Sequence, residues 1–236
     1  MRTIFSNKTM RIIVLTTIFF IFTALSFPIG NTSAKKILSL KERLTIESEL
    51  IYEQMNLDEL IDFNAFKSAY SGYKKLKKNN NPLLTIIDFN LPSTEKRMYV
   101  LDIEKKEVLY VTHVAHGRNS GGNYATSFSN KSGSYQSSLG FYRTAETYMG
   151  GNGYSLRLDG LEREINHLAR PRAVVIHGAD YCNEEFIKST GRLGRSFGCP
   201  ALPQELNKPI INTIKDGSLI FIYADKPEYY AQSAVL

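Results

Sequence analysis

Pro82 divides the chain into two textures, and the second constrains the fold most. From residue 83 onward, apolar residues come in runs too short for ordinary helices, at 83–89, 97–103 and 108–115. The polar stretch Glu104-Lys105-Lys106-Glu107 between the last two predicts a hairpin. Further runs at 140–142, 155–158, 173–176 and 219–223 read as strands, and 161–168, 184–189 and 204–214 as short helices. Between 117 and 138, Gly, Ser and Asn dominate, which predicts a long irregular loop of the kind that often carries function. The expectation is one mainly β domain of the α+β class over 83–236. A small helical piece precedes it, and nothing in the chain repeats at a fixed period.

That helical piece and its linker occupy 35–82. Leu44, Leu50, Ile51 and Met55 recur at helical spacing, as do Phe63, Phe66, Tyr70 and Tyr73, an aromatic stripe read as core. Asn56 with Glu59 resembles a cap between two helices, and Lys74-Lys75-Leu76-Lys77-Lys78 ahead of three asparagines and Pro82 reads as a solvated end. Residues 1–34 have a different character. Arg2, Lys8 and Arg11 precede the apolar run 12–22, and Thr32-Ser33-Ala34 offers a small-residue exit, the order of a secretory signal. An uncleaved anchor is the competing reading. In both cases the folded body is expected outside the cytoplasm, in the periplasm or cell envelope, with the membrane a partner only through such an anchor.

The formal charge of +6 would suggest an anionic partner, but without those three residues the 29 basic residues fall to 26 against 23 acidic ones. No basic run with interleaved aromatics supports nucleic acid as a partner. With 43% hydrophobic and 22% charged residues the chain is globular, and its two cysteines, Cys182 and Cys199, cannot be its main staples.

The chemistry concentrates at His177-Gly178, which ends an apolar run, and at Gly194-Arg195-Ser196-Phe197-Gly198-Cys199-Pro200. An imidazole and a thiol are the minimum for thiol acyl transfer: the base takes the proton, and an imidazolium lowers the thiol pKa. Gly198 permits a close backbone approach, so amides near Cys199 could face an oxyanion. His113 and His116 form a His-x-x-His pair, yet residues three apart on a strand face opposite sides, so no metal or other cofactor is expected. Asp102 and Asp180 read as turn and loop-capping residues. Cys182, beside Asp180, Glu184 and Glu185, is expected to be unreactive and not bridged to Cys199.

This segment resembles the murein L,D-transpeptidase catalytic domain family, the YkuD-like cysteine enzymes of peptidoglycan, whose hallmark is His-Gly, a spacer, then Ser-His-Gly-Cys. The matching residues are His177, Gly178, Ser196, Gly198 and Cys199. The likeness extends over about 83–223, and one branch is closer still, with Ala-His-Gly-Arg-Asn-Ser-Gly and Gly-Arg-Ser-x-Gly-Cys-Pro-Ala, both present between Ala115 and Ala201. The resemblance implies a β-sandwich or barrel and an acyltransferase acting on tetrapeptide stems through a Cys199 thioester, with His177 as base. Gly198, Ser196 and Gly178 would support the turn and the oxyanion. Arg195, His116 and Arg118 are the candidate substrate contacts. Phe197 stands where most members have histidine, and Pro200-Ala201 replaces an aliphatic-Arg pair, which removes an expected substrate anchor; Arg195 or Arg192 could supply that charge. Three other outcomes stay open: carboxypeptidase action on the same stems, a zinc-dependent wall peptidase, and a noncatalytic wall-binding module.

Overall fold

The computed structural model describes residues 39–77 and 81–236, so the expected leader at 1–34 and part of the expected linker lie outside the described residues. Ser39–Leu236 form one compact unit. Ser39 opens helix α1 (Leu40–Gln54) through a capping box with Glu42. Asn56 does not cap the next helix. With φ +52 it turns the chain out of α1, and Asp62 caps helix α2 (Phe63–Leu76) by accepting from the Asn64 and Ala65 amides. The aromatic stripe is core as expected: Phe66, Tyr70 and Tyr73 are buried, and Phe63 packs edge-on against Tyr52.

Eight strands follow: β1 (Leu83–Asp88), β2 (Met98–Asp102), β3 (Glu107–Thr112), β4 (Gly140–Gly150), β5 (Gly153–Gly160), β6 (Val175–Gly178), β7 (Ala201–Leu202) and β8 (Leu219–Tyr223). They form one sheet in the order β3-β2-β1-β8-β4-β5-β6-β7, parallel only at β1/β8 and β6/β7. Past the end of β3, Ala115 pairs with Ala201 of β7 through two backbone hydrogen bonds, so the two sheet edges meet and the sheet nearly closes into a barrel. Asp102 is a turn residue, its carboxylate accepting from the Glu104 and Lys105 amides between β2 and β3.

Helices α3 (Glu184–Thr190), α4 (Gln204–Ile214) and α5 (Pro227–Gln232) complete the described chain. The helix expected at 161–168 is instead a series of hydrogen-bonded turns. Glu162 and Asn166 direct their side chains to the start of β4: Glu162 accepts from the Phe141 amide at 2.8 Å, and Asn166 donates to the Leu139 and Phe141 carbonyls. β4 and β5 extend well beyond 140–142 and 155–158, and the strand expected at 173–176 begins two residues later, because Ala173 has φ +54. The helical segment and the sheet share one core. Phe141 of β4 stacks on Phe221 of β8 at 4.3 Å, and a Cβ on Gly72 of α2 would lie 2.0 Å from the Phe141 ring.

Candidate active site

Cys199 ends a tight turn that Ser196 begins. Ser196 Oγ donates to the Cys199 carbonyl at 2.6 Å and accepts from the Gly198 amide at 3.0 Å, so one hydroxyl closes the turn from both sides. The turn is tied to the chain beyond β3, where the Ser196 amide donates to the His116 carbonyl and the Arg118 amide to the Ser196 carbonyl. From the opposite side the long loop presses in. Gly198 has φ +123, and a Cβ there would lie 2.8 Å from the Gln136 carbonyl, so only glycine fits. Ser137 Oγ accepts from the Gly117 amide and donates to the Gly198 carbonyl, bracing loop 117–138 against the nucleophile turn. The Gly198 amide is engaged within the turn, whereas among the described residues the Cys199 amide has no acceptor and is open to an oxyanion.

β6 supplies the base. His177 pairs with Ala201 of β7, two positions after Cys199, so β6 and the short β7 bring the base and the nucleophile turn to the same seam. The Sγ atom lies 3.5 Å from the Val175 amide and donates to the Ala173 carbonyl at 3.7 Å. His177 Nδ1 is 2.8 Å from the Gly178 carbonyl; a carbonyl only accepts, so Nδ1 carries the proton and Nε2 holds the lone pair. Gly178 lies close against α4: a Cβ there would displace the end of the Gln204 side chain and come 3.2 Å from Asn207 Cβ. Burial lowers the His177 pKa, and burial raises that of Cys199 against the opposing pull of the Val175 amide and the Arg172 guanidinium. Both shifts favour the uncharged pair, thiol and imidazole, over the thiolate and imidazolium that the residue types suggested.

Residues 57–223 match the family model of the L,D-transpeptidase catalytic domain. The chain belongs to this family. Among solved structures it resembles the L,D-transpeptidase from Mycobacterium smegmatis (13% identity over 61% of this chain and 59% of that chain, TM-score 0.39). It also resembles L,D-transpeptidase 3 from Mycobacterium tuberculosis (11% identity, 61% of each chain, TM-score 0.39) and the L,D-transpeptidase from Stackebrandtia nassauensis (13% identity, 87% and 88%, TM-score 0.36). The chain thus spans about three fifths of the length of the first of these structures. No curated protein sequence matches it.

Within the L,D-transpeptidase domain the expected substrate contacts separate. Arg118 is exposed on the rim of the turn, its guanidinium over the Tyr135 and Phe197 rings. Arg195 stands beside it but directs Nη1 to the Arg118 and Gly121 carbonyls, so part of its fork holds the loop. Arg192 bonds its own neighbour's carbonyl. His116 does not line a cleft. It is fully buried, accepts at Nδ1 from Arg97 at 2.8 Å and packs edge-on against Phe89. Burial, reinforced by Arg97, holds its pKa down at about 4. His113 turns to the Glu95 carbonyl, at 3.1 Å from Nδ1.

Cys182 is buried, bonds the Ala201 carbonyl and is not bridged to Cys199. Burial more than nearby carboxylates pushes its pKa up to about 12. The residue that sequence reasoning missed is Arg172. From just ahead of β6 it donates to the Ser129 and Gln136 carbonyls and to the Ser134 and Ser138 hydroxyls, and its charge reaches Cys199. Nothing in its local sequence marks it, although it lies five residues before His177. A cavity of 390 Å³ lined by Phe128, Leu139, Ile165 and Tyr229 contains neither Cys199 nor His177, so concavity does not locate the chemistry.

Proposed function

We propose that the chain is a peptidoglycan cysteine acyltransferase that works on tetrapeptide stems. The observation that carries this is the seam itself: Cys199 two positions before the β7 residue that pairs with His177, whose Nδ1 is held by the Gly178 carbonyl so that Nε2 carries the lone pair, within an L,D-transpeptidase domain. His177 Nε2 takes the Cys199 proton as Sγ attacks the carbonyl carbon of the stem's third residue. The oxyanion is stabilised by the Cys199 amide, and the nearby Arg172 charge favours the anionic form. As the C–N bond breaks, His177 returns the proton to the leaving amine, releasing terminal D-alanine and a thioester. An amine of a neighbouring stem then gives a cross-link, and water would give a shortened stem. The basic, apolar and small-residue order of residues 1–34 supports export to where such stems are found.

The test is incubation of purified muropeptides with the full chain and identification of products by mass spectrometry. Cross-linked dimers with loss of D-alanine are expected, and His177→Ala should lower acylation by roughly 10²- to 10⁴-fold with circular dichroism unchanged. A chain that leaves every tetrapeptide stem intact would reject this reading.

A further inference from the structure

The rim beside the nucleophile holds a cation mounted on aromatic rings and committed to no partner. The Arg118 guanidinium carbon lies 4.2 Å from the Tyr135 ring centre and 4.7 Å from that of Phe197, and the two rings are 5.0 Å apart. Phe197 is 66% and Tyr135 38% exposed, so both rings are held at the surface, where burial alone does not explain them. Tyr135 is moreover in the left-handed region at φ +55, an unfavourable backbone state for a bulky side chain, and it places its ring beneath Arg118. No carboxylate pairs with Arg118 and no carbonyl accepts from its side chain among the described residues, unlike Arg97, Arg170, Arg172 and Arg195. The two rings restrain the guanidinium while its donors stay without a hydrogen-bond acceptor among the described residues, and such a fork can take a carboxylate bidentately. The platform is joined to the nucleophile turn: Phe197 lies within that turn, the Arg118 amide bonds Ser196, and a Cβ on Gly117 would lie 2.9 Å from Gly198 Cα.

We infer that Arg118, mounted on Tyr135 and Phe197, is a carboxylate-binding subsite that anchors the acyl donor at Cys199. It answers the lack of an arginine after the nucleophile, where Pro200 and Ala201 stand. The identity of the donor rests on the peptidoglycan reading, while the anion subsite does not. A tetrapeptide stem offers two sources of the group: the terminal carboxylate of the fourth residue, or a side-chain carboxylate on the third.

Two measurements on the full chain separate these ideas. In the first, alkylation of Cys199 by iodoacetate and by iodoacetamide is followed by mass spectrometry, and the ratio of rates reports anion recognition independently of how much thiolate is present. Arg118→Gln should lower that ratio about fivefold to tenfold, and Arg118→Lys should restore only part of it, because a point charge lacks the fork. Phe197→Ala should also lower it. A ratio unchanged in Arg118→Gln overturns the subsite, and full restoration by lysine overturns the stacked fork. In the second, tetrapeptide donors amidated at one carboxyl or the other are compared with the free acid. The parental chain should show about a tenfold rise in KM for one amide with little change in kcat, and Arg118→Gln should lose that discrimination. If the ratio shifts but no donor is turned over, the subsite stands and the peptidoglycan reading falls. If donors are turned over with ratio and discrimination the same in the variant, the subsite falls and that reading stands.

Discussion

At Cys199 burial is opposed first by the Val175 amide and then by charge, and the residue that supplies the charge is Arg172. Its Nη atoms are each held by two loop oxygens, so the charge is fixed in place rather than free to follow a ligand, and it lies against the turn closely enough that a Cβ on Gly198 would sit 3.4 Å from Nη2. Replacing Arg172 with glutamine keeps polar contacts to the loop but removes the charge. The pH midpoint for Cys199 alkylation by iodoacetamide should therefore rise by roughly one unit, with Arg172→Lys in between. An unmoved midpoint would assign Arg172 to loop bracing alone. Cys199 and His177 stand out in the sequence as candidates because cysteine and histidine are rare and sit in a dense motif. Arg172 was not, because an arginine before a strand has no signature until the strand places it beside a turn 27 positions later. His116 misleads for the opposite reason: it sits in a motif-like run, but Arg97 and Phe89 hold the ring inside the fold.

Among the elements, the two N-terminal helices illustrate what periodicity conveys and what it leaves out. The repeat of Phe66, Tyr70 and Tyr73 reveals a helix with one buried face. It does not reveal that this face lies on the sheet, because the partner, Phe141, is distant in sequence. Gly72 carries that information silently. Phe141 is fully buried and stacked on Phe221, so its ring has no room to yield to a new methyl group. Gly72→Ala should destabilise the chain by about 1–3 kcal/mol through overpacking, despite the better helix propensity of alanine, as read by urea denaturation. A stabilised variant would show that α2 rides loosely on the sheet. The same limit explains the turns at 161–168, where a plausible helical pattern lost to side-chain hydrogen bonds with β4. It also explains the two-residue β7, which no periodicity method can detect.

Across the whole molecule, buried histidines set the acid limit. His116 titrates near 4 in the folded chain against an ordinary value of 6.5, so the unfolded chain takes up its proton first. The stability it confers is present above about 6.5 and lost as pH falls toward 4. Asp88, raised to about 6 by burial, acts in the opposite sense and gives back some stability over part of that range. Comparing the parental chain with His116→Gln, whose amide oxygen can still accept from Arg97, isolates the histidine. The parental advantage should shrink between pH 7 and pH 4 by an amount approaching about 3 kcal/mol. A constant difference in urea titrations across that range would remove His116 as the sensor. The barrel's closure has a different kind of consequence. The ring of strands is fastened by a clasp of two isolated bridges, Ala115 to Ala201 and Gly117 to Ser196, and the nucleophile sits on the short strap between them. A ring opens at its clasp before its links give way, so loosening there would misalign Cys199 while every long strand stayed paired. In such an enzyme heat or denaturant should silence catalysis before it dissolves the fold.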